Sequence, residues 1–393
     1  MELGWIDFSK NERDDMLSVL DSLSEKGTLD ELGIAPVRDG FSDLFFPGTS
    51  TLQTRAKYFF LIPYACVELA ETENLTPRNA YSRLYELERK TAESLQSHQP
   101  DEKGVIGGSF VARKDWIKRP PSTLYWAGLR RYGIFNSDCS LSEYLKILCE
   151  TKRNKEILKL TENCRGGEER DDNDAWHTGA LRFFNIPRPE KIADAAVTIK
   201  LTKTEADFLK ERIFVSTRGS LLAYLLKNRG EAMNCENFRQ LSEIIDDEEL
   251  KCDMAMAVRF SDFTYVLRVA YNLVVSKDKN DEALRAMNEL SGDLNGIADI
   301  DFDMIFLRLK LNNDGLKKFL SRAKEAMRAG NVEELKKIVT AREKSIKGAA
   351  RAKTLNADEA YADKWFCGHE LEYRFSNAMN ILRDVFEAED ENV

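Results

Sequence analysis

Lysine, arginine and aromatic residues crowd into one stretch, GVIGGSFVARKDWIKRPPSTLYWAGLRRYGIF, from Gly104 to Phe135. Lys103, Arg113, Lys114, Lys118, Arg119, Arg130 and Arg131 stand there against Asp115 alone, a local balance of +6 in a chain of net charge −9. Phe110, Trp116, Tyr125, Trp126 and Tyr132 are threaded among them. Cations pair with a phosphate backbone and flat rings stack on bases, so this mixture suits a nucleic acid. The candidate contacts are Arg113, Lys114, Lys118, Arg119, Tyr125, Trp126, Arg130 and Arg131. A smaller group could hold a phosphate: Thr49, Ser50, Thr51 and Gln53 at an expected helix start, with Arg55 a turn later. Ordinary capping plus a surface arginine is the competing reading there.

Signatures of other chemistry are scarce. GVIGGSF is followed by no GK[ST] and lacks GxGxxG spacing, so it is neither a P-loop nor a dinucleotide fingerprint. GxSxG and HExxH are absent. The three histidines, His98, His177 and His369, belong to no motif, and His177 has no second ligand at metal spacing. Glu168, Glu169, Asp171, Asp172 and Asp174 lack calcium-loop spacing and read as a solvated loop. No cofactor and no metal are expected. A nuclease that uses one Asp, one Glu and one Lys at loose spacing stays open. A second basic run, Arg342, Lys344, Lys347, Arg351 and Lys353 against Glu343, reads either as a phosphate-contacting loop or as a solvated connection.

Composition sets the frame for these groups. The 393 residues suggest two or three domains. A hydrophobic content of 43% with 32% charged residues predicts a soluble chain with a real core. No apolar run approaches the ~20 residues of a membrane helix. MELGWIDFSKNERDD has no basic n-region and no apolar h-region, so no signal peptide is expected. Seven scattered cysteines without a CxxC predict reduced thiols and a cytoplasmic protein.

The elements that must position the basic stretch read as helices. Ser9 with Glu12 is a capping box, and Gly27 closes the helix it opens. Ser50 or Thr51 is expected to cap a helix with Leu52, Ala56, Phe59 and Phe60 inward, which Pro63 should break or kink. Thr76-Pro77 starts an amphipathic helix carrying Tyr81, Leu84, Tyr85, Leu87 and Leu95. Pro120-Pro121-Ser122 precedes a helix from Thr123 to Tyr132, stopped at Gly133. On it, one of Tyr125 and Trp126 should face the core and the other the edge of the basic surface. Ser140 with Glu143 caps the next helix, so Thr123 to Leu148 has helix-turn-helix proportions, although a plain αα-hairpin fits equally.

From 151 to 200 the chain is charged and irregular. Thr202 with Glu205 is a third capping box, and helical patterns then follow over 220–228, 235–245, 248–275, 281–290, 302–311, 314–328, 331–346 and 356–387. Trp365 is expected in the core of the last one. No fixed repeat period is present. The fold class is mainly α. A helical region with the helix-turn-helix-like unit spans 1–150, a linker spans 151–200, and an irregular helical bundle spans 201–393.

WIDFS, DELGIAPVRDGFSDLFFPGTSTLQTRAKYFFLIPY, GVIG and KRPPSTLYWAGLRRYGI together resemble an uncharacterised bacterial family, a domain of unknown function. The similarity runs on through Trp365 and LEYR. The resemblance implies a bacterial, intracellular protein, with genes set among helicase and phage-defence genes. It implies no activity and no catalytic residues. The functional expectation is a non-enzymatic nucleic-acid-binding subunit of an antiviral defence complex. It would bind DNA in preference to RNA, beside a larger partner such as a helicase or nuclease, and away from the membrane. A protein-protein adaptor that docks a larger enzyme is the alternative, and a cryptic metal-dependent nuclease is a second one.

Overall fold

Side-chain caps decide where most of the described helices begin. The computed structural model describes residues 30–110, 117–163, 183–187 and 197–390. The expected helix opened by Ser9 therefore lies outside the described residues, as do Arg113, Lys114, Trp116, His177 and the acidic run 168–174. Asp30 accepts the amides of Leu32 and Ala35, and α1 (Ala35–Phe45) follows. Next come α2 (Tyr58–Glu71), α3 (Ala80–His98), α4 (Pro121–Arg131) and α5 (Leu141–Asn163). Ser140 and Glu143 exchange both capping-box bonds at the start of α5. Thr202 and Glu205 do the same for α6 (Lys203–Ser216). Ser220 and Asn237 cap α7 (Leu221–Lys227) and α8 (Phe238–Ile244), and Asp247 caps α9 (Glu248–Val275).

Beyond these lie α10 (Asp281–Leu290), α11 (Leu294–Ile297), α12 (Phe302–Arg308), α13 (Asp314–Arg328), α14 (Val332–Lys347) and α15 (Phe375–Asp390). Each side-chain cap satisfies backbone donors that a helix start would otherwise leave unpaired. Among the described residues the only β pairing is one isolated bridge, Phe135 with Phe184. The protein is all-α.

Two compact units form, each from separate chain segments. The first comprises 1–41 and 246–371, the second 42–245 and 372–393. The division differs from the one expected at 150 and 200. α6, α7 and α8 belong with α2 to α5, and α15 returns to pack on α6 and α7.

The second unit is built on α2, which is apolar nearly all round. Tyr58, Phe59, Phe60, Ile62, Pro63, Tyr64, Ala65, Cys66 and Leu69 are all buried in it. Pro63 does not end the helix. Its cost, about 3 kcal/mol in a helix interior, is outweighed by the burial of these side chains, at about 1.5–3 kcal/mol for each large one. The helix expected to be capped by Ser50 or Thr51 does not form either: 51–57 is turn and loop, α2 begins at Tyr58, and Leu52 is 43% exposed. Two buried ion pairs fasten distant segments. Lys57 Nζ lies 2.6 Å from Glu205 Oε2, and Arg55 Nε lies 2.8 Å from Asp384 Oδ1.

In the first unit α9 runs through the middle, packed by α10, α11 and α14. Its buried polar side chains hold the segment before α15. Asn272 donates to the Phe366 carbonyl and accepts the Phe366 amide, Asn280 donates to the carbonyls of Ala362 and Lys364, and the Ser261 hydroxyl accepts from Leu371 N. That segment is not the expected helix. A single 3-10 turn, Glu359–Tyr361, is followed by loop, because Cys367 and Gly368 take positive φ. Trp365 is half-buried on this loop, stacked on His369 at a centroid distance of 4.7 Å, so it is no core residue.

The second basic run is absorbed by this unit. Arg342 donates to the Leu32 carbonyl, Lys347 pairs with Glu31 and Glu343, and Arg351 donates to the Lys347 carbonyl. Lys353 lies over the Phe366 ring. A phosphate-contacting loop is not what these four side chains form.

Candidate nucleic-acid interface

α4 carries the basic stretch, and both of its ends are fixed by neighbours. Pro120 at the N-cap offers no side-chain acceptor. Glu88, from α3, takes that role instead, accepting from Ser122 N at 2.5 Å and from the Ser122 hydroxyl at 3.2 Å. At the other end Gly133 has φ +61°, and the amides of Gly133 and Ile134 bond back to Arg130 and Leu129. This is the Schellman closure that a glycine permits. A Cβ at Gly133 would also lie 2.2 Å from Arg212 Nη2, whose guanidinium serves the carbonyls of Tyr132 and Gly133.

Two sides of α4 are buried. Tyr125 is fully enclosed, with its hydroxyl accepting from Thr54 N and donating to the Arg55 carbonyl. Trp126 is 6% exposed. Its indole N–H donates to the Cys139 carbonyl, and its ring packs on Phe135, Tyr144 and Phe184 at 4.5, 5.6 and 6.2 Å. Both rings are therefore core, and neither is available to stack on a base. Gly128 faces α2 and the loop before it, where a Cβ would sit 2.6 Å from the Gly48 carbonyl oxygen.

What α4 leaves exposed is one stripe, Thr123, Ala127, Arg130 and Arg131, at the i, i+4, i+7, i+8 spacing of a single face. Lys118 and Arg119, just before the helix, are exposed as well. The segment that carries them is gripped by two tyrosines one turn apart on α3. Tyr85 donates to the Ile117 carbonyl at 2.8 Å, and the hydroxyls of Tyr81 and Thr123 share a hydrogen bond at 3.2 Å. Arg130 has a loose contact of 3.7 Å with the fully solvated Asp138, worth little in water. Among the described residues no acid pairs with Lys118 or Arg131.

Four predicted contacts, Lys118, Arg119, Arg130 and Arg131, are thus on the exposed surface, two just before α4 and two in its last turn. Tyr125 and Trp126 are withdrawn from it. Tyr81, 46% exposed, joins it unpredicted. The spacing of α3 held the clue: Ala80, Leu84, Glu88, Ala92 and Leu95 are its buried line, and Tyr81 stands one residue off it.

The phosphate group expected around Thr49 does not assemble. The Thr49 hydroxyl donates to the Phe46 carbonyl, and Gln53 donates to the carbonyls of Gly48 and Leu124. Ser50 is half-buried beside them, its amide donating to Gln53 Oε1, and Thr51 gives its carbonyl to Asn377. Arg55 is consumed by Asp384, Glu102 and the Lys103 carbonyl. No helix begins there, so no free amides point at an anion, and the one cation is already neutralised by two carboxylates.

The model of a family of unknown function, DUF6361, matches residues 1–288. The chain belongs to that family. The matched segment contains α4, its stripe and Tyr81, whereas Trp365 and LEYR, where the resemblance also ran, lie beyond it. No curated protein and no solved structure matches the chain.

Among the described residues no group of three or more His, Cys, Asp and Glu side chains could hold a metal, and no helix is long and apolar enough to cross a membrane. The described cysteines are free thiols, with Cys66, Cys149 and Cys235 buried.

Glu88 is the most perturbed carboxyl of the site. Burial pushes it up to about 8 from an ordinary 4.5, against the pull of the Ser122 hydrogen bonds. The folded state keeps this proton where the unfolded chain releases it. Stability should therefore fall as pH rises from about 4.5 to about 8, with the penalty complete above that. Glu88→Gln keeps an acceptor for Ser122 N and supplies a donor for its hydroxyl. Urea unfolding at several pH values is expected to show a flatter profile for the variant, and a variant more stable than the parent at the alkaline end. Parallel profiles would assign the pH dependence elsewhere.

Proposed function

We propose that the protein is a non-enzymatic nucleic-acid-binding subunit. It acts in a bacterial complex, of the anti-phage kind, beside a larger helicase or nuclease. The observation that carries this reading is the solvent-facing basic surface of Lys118, Arg119, Arg130 and Arg131 in an otherwise acidic chain. A net charge of −9 repels a polyanion at long range, so binding must come from a local patch. Among the described residues no acid pairs with Lys118 or Arg131, in contrast to Arg55 and the run from Arg342 to Lys353. DNA is the expected ligand, and the cytoplasm the expected compartment.

Anisotropy titrations of labelled DNA at several salt concentrations test the reading. Affinity should fall steeply as salt rises, because each phosphate contact releases a counterion. Salt-independent binding, or none, would refute it.

An adaptor role has one observation behind it. Met304 and Leu307, one turn apart on α12, are 53% and 74% exposed. Capture of a partner that survives high salt and is lost in Leu307→Asp would favour docking through that face.

A further inference from the structure

We infer that the basic surface takes single-stranded nucleic acid, and that Tyr81 is its base-stacking residue. This rests on the nucleic-acid reading above and narrows it to a ligand class.

The first observation is the placement of the ring. Tyr81 is the second residue of α3, nearly half exposed, and its hydroxyl is fixed to Thr123 at 3.2 Å. Tyr85, one turn on, anchors the Ile117 carbonyl. Lys118 and Arg119 lie in sequence between these two anchor points. A ring tethered at its hydroxyl loses little further freedom when a base stacks on it, while adjacent cations meet the phosphates. Among the described residues no other ring packs on Tyr81, and the residue is 46% exposed. Tyr125 and Trp126, the aromatics that share α4 with the cations, are buried.

The second observation concerns the duplex alternative. In a helix-turn-helix unit the second helix enters the major groove with its N-terminal residues on the bases. Here that helix is α5. Its exposed charges over the first turns are Glu143, Lys146, Glu150 and Arg153, two acids and two bases. Glu143 stands at the very end that would face the DNA, and the bonds from Ser140 hold its carboxyl below the usual range. α4 cannot substitute as a groove reader. Its first residues, Pro121 and Ser122, are buried, and the Ser122 amide and hydroxyl are both committed to Glu88. Arg130 and Arg131 stand in the last turn of α4, away from the N-terminal end that a groove-reading helix presents to the bases, and Lys118 and Arg119 precede the helix. Such a surface tracks a flexible backbone, with a stacking ring at one end, and offers nothing shaped for a groove.

The test titrates labelled oligothymidylate, oligouridylate and a DNA duplex of equal length against four proteins. These are the parent, Tyr81→Ala, Tyr81→Phe, and the double variant Arg130→Ala/Arg131→Ala. The parent should prefer both single strands over the duplex. Tyr81→Ala should bind single strands about 5- to 100-fold more weakly with an unchanged salt slope, since stacking releases no counterions. Tyr81→Phe keeps the ring and should retain most of the affinity. The arginine variant should weaken binding and flatten the slope. Thermal melts at the parental temperature certify folding, as expected for exposed sites. If Tyr81→Ala binds single strands like the parent while the arginine variant fails, the stacking assignment falls and the basic surface stands. A parent that prefers the duplex also overturns the single-strand inference. An arginine variant that binds like the parent removes the reading beneath both.

Discussion

Trp126→Ala is expected to be among the most destabilising single substitutions in the chain, at about 3–5 kcal/mol, a large share of a typical domain's total stability. The ring is 6% exposed and packs against Phe135, Tyr144 and Phe184. Removing it leaves a cavity bounded by three large rings, which cannot all collapse inward together, and leaves the Cys139 carbonyl without its indole donor. Trp365→Ala is the contrasting control. That ring is half-buried on a loop and stacks on His369 and Tyr265, so its loss should cost about 1 kcal/mol. Denaturant unfolding of the two variants beside the parent reads the difference directly. Equal losses, or a larger one for Trp365→Ala, would mean that the aromatic cluster around α4 is not the core of its unit.

Why the two tryptophans look alike in sequence and differ in the fold says what could be read from residues alone. Local signals were legible. Ser140 with Glu143, Thr202 with Glu205, and Gly133 after α4 each satisfy backbone groups within a few residues, so spacing is enough to find them. α9 also matches its expected range, Glu248–Val275, because its apolar residues and its Asp247 cap agree. Expectations that depend on distant partners failed. Tyr125 and Trp126 are neighbours about 100° apart on a helix, and an ordinary amphipathic face buries only one of such a pair. α4 is packed by α2 on one side and by the 135/144/184 cluster on another, so the buried arc widens to include both. Arg55 looked like a free cation, but its partner Asp384 lies 329 residues away. Pro63 reads as a break or a kink, and α2 runs on through it among buried aromatic residues. Trp365 sat in a helical pattern that Cys367 and Gly368, both at positive φ, do not allow. In the candidate site the cations were legible as a charge anomaly. Tyr81 was not, because a tyrosine near apolar residues reads as core until the buried line of α3 is known.

Replacing Lys118, Arg119, Arg130 and Arg131 together by Ala should abolish most nucleic-acid binding without unfolding the protein. The four side chains are exposed, and the contact of Arg130 with Asp138 is 3.7 Å long and solvated. Each such substitution should therefore change stability by no more than about 0.5 kcal/mol. Their loss acts on binding through the phosphates. On a single strand each lost contact lowers the slope of log affinity against log salt by about 0.7, so four contacts lower it by about 3 in all. The loss should be uniform across base sequences, since phosphate contacts carry no base information. It should also shrink as salt rises, because the parent's advantage is counterion release. A matched variant of four exposed bases elsewhere, Lys90, Lys227, Lys318 and Lys337 to Ala, changes the net charge equally and should leave most of the binding intact. If both variants lose the same affinity, the effect belongs to overall charge. In that case α4 and the segment before it are no more a binding surface than the rest of the chain.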